Sequence, residues 1–242
     1  MTTFVLLHGG GMGGWIWEYV ADGLRADGHR VLTPTFTGFG ERSHLIGRDV
    51  THDVHVTDIV NTLKFEDVRD AVLCPFSYGG SVAPGVVAQA GDRIKRVVYL
   101  DGIVPEAGEA VSASLGFMSA EDAAGLEALL ASGDGPVGTG VDKMQRDIAA
   151  SKPFKMTAER QDWMLDRMSD MPLRGMVSPV STGAASINKP VEYLGVPNDV
   201  MVPMHARAKA LGWPVELVSE DLDHAFIVGA PEIVIDYLRS RA

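Results

Sequence analysis

A single cysteine, Cys74, is all the thiol this chain has, so an intrachain disulfide and a cysteine metal cluster are both excluded. Cations are also scarce: 21 Lys and Arg stand against 32 Asp and Glu, a formal net charge of -11. They are scattered rather than gathered into a basic stripe, so nucleic acid and anionic membranes are not expected partners. No apolar run approaches the roughly 18 residues of a transmembrane helix. Met1-Thr2-Thr3 leads straight into a strand, without a basic or long apolar leader. The expectation is a cytoplasmic protein, monomer or homodimer, that handles a small molecule without a metal. What the chain does have is length: its 242 residues suffice for one domain that needs no covalent staples.

Short apolar, β-rich runs recur at Phe4 to Leu7, Arg30 to Thr33, Ala71 to Cys74, Arg96 to Leu100, Val191 to Val196 and Val215 to Ser219. Several are nearly continuous, as in strands covered on both faces of a parallel sheet. Helical spacing separates them: Trp15 to Arg25, Val54 to Leu63 with Val56, Ile59, Val60 and Leu63 on one stripe, and a last helix starting after Pro231. Such alternation predicts an α/β fold with helices on both faces of about six strands. It fails between about residues 104 and 188, which read as helices only: Ser119 to Ala131, Val141 to Ser151 and Thr157 to Met168. Ser119 and Thr157 are N-cap candidates. The expected organisation is one domain, 1–242, with this stretch as a helical cap.

Three segments carry chemistry. Val72-Leu73-Cys74-Pro75-Phe76-Ser77-Tyr78-Gly79-Gly80 reads as strand, sharp turn and helix, which lifts the Ser77 hydroxyl out of the sheet's carboxyl edge as a nucleophile. Gly79 answers to the close backbone approach such a turn forces. His8-Gly9-Gly10-Gly11-Met12-Gly13-Gly14-Trp15 follows the first strand. It lacks the dinucleotide and P-loop patterns, so it reads as an oxyanion-hole loop. The Gly10 and Tyr78 N–H groups are the candidate donors, Gly9 lies against the substrate, and His8 braces the loop. Asp221-Leu222-Asp223-His224-Ala225 follows the last strand and puts His224 in reach of Ser77 as general base, with Asp221 and Asp223 read as solvated. The orienting acid should follow a strand upstream of it. Asp199, past the fifth strand, is favoured, and Asp101, past the fourth, is its competitor.

These motifs, with Thr37-Gly38-Phe39-Gly40-Glu41-Arg42-Ser43-His44 after the second strand and Asp199-x-x-x-Pro203, occur in an order that resembles the α/β-hydrolase superfamily. The resemblance is to its compact branch of plant methyl esterases, hydroxynitrile lyases and bacterial small-ester hydrolases. It covers nearly the whole chain and is loosest in the cap. It implies hydrolysis of a small carboxylic ester or lactone through a serine ester, with a Ser77-His224-Asp199 triad and no cofactor.

The sequence departs from that pattern in places. Pro75 and Phe76 stand where Gly-His is usual, and Gly9 and Ala225 replace the threonine and lysine of the lyases. Carbon–carbon lyase and non-catalytic ligand receptor stay open as alternatives. His44 is expected at the pocket mouth, with Met118, Leu126, Leu129, Trp163, Met164 and Met168 as cap residues toward the substrate. Pro84 falls inside the helix after Ser77. It predicts a bend there, with the Gly80 carbonyl taking water or a side chain as its partner.

Overall fold

The computed structural model describes residues 1–197 and 200–242. Six strands, β1 (Thr3–Leu7), β2 (Arg30–Leu32), β3 (Ala71–Pro75), β4 (Ile94–Leu100), β5 (Val191–Gly195) and β6 (Val215–Leu217), form one sheet in the order β2-β1-β3-β4-β5-β6. Every pairing is parallel. Each strand lies where its apolar run predicts, with β4 starting two residues earlier and β6 stopping two residues sooner.

The continuous apolar runs have a simple cause. In a strand alternate side chains point to opposite faces, and here both faces are covered. Val5, Leu7, Leu73, Val97, Tyr99 and Tyr193 enter one core, packed under α2 (His52–Phe65), α3 (Gly79–Ala90) and α9 (Val202–Ala210). Phe4, Leu6, Val72, Cys74, Val98 and Leu100 enter the other, beneath α1 (Glu18–Ala26), α10 (Phe226–Gly229) and α11 (Pro231–Arg239). A parallel sheet collects its carboxyl ends at one edge. The segments after β1, β3, β4, β5 and β6 therefore meet there, and ligands bind at such an edge in α/β folds.

Between β4 and β5 the described structure is helical: α4 (Val111–Ser114), α5 (Ala120–Ala131), α6 (Val141–Ser151), α7 (Ala158–Arg167) and α8 (Leu173–Val177), then a 3₁₀ turn at Ala184–Ser186. Both cap residues act as expected. The Ser119 and Thr157 hydroxyls accept from the N–H groups of Asp122 and Arg160, three positions on. Among the described residues no helix is long and apolar enough to cross a membrane.

Helix α3 runs uninterrupted through Pro84. Proline has no N–H for the carbonyl four residues earlier, which is that of Gly80. The Tyr99 hydroxyl donates to it at 3.1 Å, from a fully buried side chain on β4. A β4 tyrosine thus repairs the defect that Pro84 makes in α3. Tyr99→Phe leaves a buried carbonyl unpaired and should cost about 1–3 kcal/mol in urea unfolding. In a Pro84→Ala background, where residue 84 regains its N–H, the same change should cost clearly less.

Candidate active site

Strand β3 ends at Pro75, and the chain reverses into α3 over three residues. Ser77 sits in the turn with φ of +50°, a left-handed conformation that a non-glycine residue holds only when its surroundings impose it. They do. The Gly79 N–H donates back to Phe76 O at 2.8 Å and to His8 O at 3.1 Å, and Ser77 O accepts from Gly80 N–H (3.0 Å) and Ile103 N–H (2.9 Å). The helix is also pressed against the sheet edge. A Cβ on Gly79 would lie 2.9 Å from Leu7 Cβ and one on Gly80 2.4 Å from Ile103 N, so neither position accepts a side chain.

The Ser77 hydroxyl lies 2.9 Å from His224 Nε2, and His224 Nδ1 lies 2.6 Å from Asp101 Oδ2. A carboxylate only accepts, so Nδ1 carries the proton and the neutral ring offers the Nε2 lone pair to the serine O–H. Phe76 stacks on the imidazole, centroids 4.8 Å apart and 24° between planes. The unusual residue before the serine thus covers one face of the ring. On the other side of the loop Asp223, expected to be solvated, accepts from Ala225 N–H (2.9 Å) and from Lys155 N–H in the cap (2.6 Å). It ties the histidine loop down.

Asp101 is wholly buried and, like Ser77, has positive φ (+46°). Its other oxygen, Oδ1, accepts from Val196 N–H at 3.2 Å and His205 Nε2 at 3.1 Å. Burial pushes its carboxyl up, but the hydrogen bonds from His205, His224 and Val196 outweigh that and hold it below the ordinary carboxylate range. Asp199, the favoured acid, lies outside the described residues. The position beside His224 Nδ1 is filled by its competitor.

Ser77 and His224 open onto a cavity of about 150 Å³ beneath the cap. Gly10 and Tyr78 lie in its wall beside the serine. At the start of α3, the Gly79 and Gly80 N–H groups are engaged by His8 O, Phe76 O and Ser77 O, whereas Tyr78 N–H has no such partner among the described residues. Gly9 lies behind the serine, where a Cβ would come 3.0 Å from Ser77 Cβ. From the cap, Met164 and Met168 line the wall.

Other expected contacts are corrected. Trp163, one helical step from Met164 on α7, is off the cavity wall and packs on Trp15 and Tyr19, with Arg167 over its ring. His44 stands exposed and off the wall, because Arg42 is pinned to Thr35 O, Thr37 Oγ1 and Asp58 in the preceding turn, which sends His44 outward. Met118, Leu126 and Leu129 are likewise absent from it. Met12, Met171, Met176 and Met201 take those places. They come from three separate segments, after β1, around α8 and after β5, so no periodicity in the sequence marks them.

Behind Tyr78 lie three buried histidines. His8 donates from Nδ1 to Gly9 O (2.8 Å), and Nε2 accepts from Phe36 N–H (3.1 Å). His55 Nε2 faces Thr37 O (3.0 Å) and so bears the proton, leaving Nδ1 to accept from the Tyr78 hydroxyl at 2.7 Å. Neutral tautomers satisfy both rings. His52 Nε2 and Ser81 Oγ, 3.2 Å apart, mimic a second serine–histidine pair. Ser81, however, is fully buried and donates its proton to Tyr78 O, so it is no nucleophile.

A profile described as "Alpha/beta hydrolase family" matches residues 4–237. The chain belongs to that family. Among curated relatives, a carbendazim hydrolyzing esterase from Nocardioides sp. (strain SG-4G) is 45% identical over 115 residues, 48% of each chain. Haloalkane dehalogenase 1 of Mycobacterium bovis is 35% identical over 105 residues, 43% of this chain and 35% of that one. The chain therefore matches half or less of the length of these relatives. Among solved structures, an extracellular α/β-hydrolase from a Paenibacillus species superposes with a TM-score of 0.74 at 25% identity, covering 99% of this chain and 98% of that one.

Burial lowers the pKa of His8 from 6.5 to about 4 and that of His55 to about 3. Below pH 6.5 the unfolded chain takes up protons that the folded rings refuse, so stability falls as pH drops from 6.5 toward 4. For His8 the shift corresponds to roughly 3 kcal/mol once both pKa values are passed. Urea midpoints should decline steadily over this window, and His55→Gln should show a shallower decline than the wild-type chain.

Proposed function

We propose that this chain is a carboxylic ester hydrolase that works through an acyl-enzyme on Ser77. The unbroken relay from Ser77 through His224 to Asp101, at 2.9 and 2.6 Å and open to the cavity, carries the reading. A relative named as an esterase supports the reaction class. In the first half, Ser77 Oγ attacks the ester carbonyl carbon while its proton passes to His224 Nε2. The developing oxyanion is met by the Gly10 and Tyr78 N–H groups at the positive end of α3. Collapse of the tetrahedral intermediate breaks the bond to the alcohol, which leaves with the proton from His224. In the second half, His224 takes a proton from water as its oxygen attacks the acyl carbon, then returns it to Ser77 as the acid departs. Asp101 holds the Nδ1–H tautomer and balances the imidazolium charge throughout.

The cavity restricts the substrate. Among its described wall residues there is no carboxylate, lysine or arginine, and methionines supply much of the surface. Its volume is comparable with that of an apolar cavity that takes up benzene. The substrate is therefore a small, uncharged ester with an apolar or aromatic part. Candidates for assay are p-nitrophenyl acetate and carbendazim, the latter from the relative's name. Neither position that distinguishes the lyases carries the lyase residue, since Ala225, beside His224 on the wall, has no cation. Release of cyanide from a hydroxynitrile would turn the assignment to the lyase.

Ser77→Ala and His224→Ala should each lower kcat on p-nitrophenyl acetate by about 10⁴- to 10⁶-fold. Asp101→Asn should lower it by about 10⁴-fold, more than Asp199→Asn does. A Ser77→Ala enzyme keeping a tenth of the rate sinks the mechanism, and an Asp199→Asn enzyme slower than Asp101→Asn moves the acid to Asp199. An ester with a carboxylate on its acyl part should show a kcat/KM lower by about tenfold or more than its neutral analogue, because that charge enters an apolar cavity.

A further inference from the structure

We infer that His205 is a positioning residue for catalysis: a second imidazole that clamps the carboxylate of Asp101 from the side opposite His224. This rests on the reading of Asp101 as the triad acid. His205 lies on α9, in its second turn, with a side chain only 7% exposed, and its Nε2 is 3.1 Å from Asp101 Oδ1. As Oδ1 accepts, Nε2 carries the proton and the ring need not be charged. With Val196 N–H at 3.2 Å, His205 saturates Oδ1. Oδ2 is left to His224, at the shorter distance of 2.6 Å. One oxygen holds the carboxylate and the other works.

The site for this ring is built into the sheet. Leu100 pairs with Leu194, so Asp101, one residue past β4, lies beside Gly195, the last residue of β5. A Cβ on Gly195 would stand 2.5 Å from His205 Nε2, in the space the ring occupies. The edge of His205 packs against the ring of Tyr193, centroids 5.4 Å apart at 71°, and the hydroxyl of Tyr193 is anchored on Gly102 O at 2.9 Å. Strand register, a missing side chain and an aromatic wall thus converge to hold one donor against one oxygen. A buried histidine that served packing alone would not need its polar atom aimed at the only wholly buried carboxylate among the described residues.

The role predicts a loss in turnover without a loss in substrate binding, since the His205 side chain does not line the cavity. His205→Leu should lower kcat about ten- to a hundredfold, the kinetic equivalent of one hydrogen bond to a charged group, with KM within about threefold of wild type. His205→Gln, whose amide N–H can reach the same oxygen, should recover most of the rate. His205→Asn, equally polar but too short, should not, and it serves if the leucine variant does not fold. The far-downfield proton resonance expected for the short Nδ1–H bond of His224 should shift in the Leu and Asn variants and return in Gln. In an Asp101→Asn background, His205→Leu should slow the enzyme no further. A folded His205→Leu or His205→Asn enzyme with wild-type kcat, beside a slow Asp101→Asn enzyme, overturns this inference and leaves the triad standing. A fast Asp101→Asn enzyme overturns the triad reading and this inference with it.

Discussion

A serine held at φ of +50° between a buried strand and a buried helix is the constraint from which much of this molecule follows. Left to itself the residue would relax out of that region, at a gain on the order of 1–3 kcal/mol. Hydrogen bonds to its own carbonyl, to Phe76 O and to His8 O lock the turn from three sides. The approach this requires leaves no room for side chains at Gly79 and Gly80. It also sets the start of α3, and hence where the Tyr78 N–H points. Even the proline in α3 answers to the same crowding: the Gly80 carbonyl that it orphans faces β4, close enough for Tyr99 to serve it.

The polar interior behind the turn is arranged so that no buried ring needs a charge. His8 links the loop after β1 to Phe36, and His55 links the loop after β2 to Tyr78. Each uses one nitrogen as donor and the other as acceptor. Protonating His8 would set a new Nε2–H against the Phe36 N–H, which adds to the cost of burying the charge. The one completely buried carboxylate among the described residues, that of Asp101, sits among three donors.

Much of this was legible in the sequence, and the limits are physical. The six strands were readable because runs such as Phe4 to Leu7 are apolar at every position, which only two-sided burial explains. Ser77 and His224 were readable because each sits in a loop after a strand, in a defined order. That Asp101 stands beside His224 Nδ1 was not, because β4 and β5 are neighbours and both lead into the same sheet edge, so order along the chain does not rank the carboxylates that follow them. Trp163 and Met164 show the same limit on a helix. They are adjacent in sequence but a helical step apart in direction, so one faces the cavity and the other Trp15 and Tyr19. His205 gave no signal of its own, for its meaning depends on the register of β4 against β5 and on a glycine ten residues earlier.

The bond from Lys155 N–H to Asp223 belongs to a seam. Lys155 Nζ also reaches Glu220 O, and Arg160 on α7 reaches the carbonyls of Val228 and Gly229. This margin of the cap is therefore stitched to the chain on both sides of His224. Lifting this margin would pull on the loop that holds His224 and draw its imidazole away from Ser77. Phe117 and Met144, elsewhere on the cavity wall, stand partly in water, and among the described residues neither side chain is hydrogen-bonded to the histidine loop.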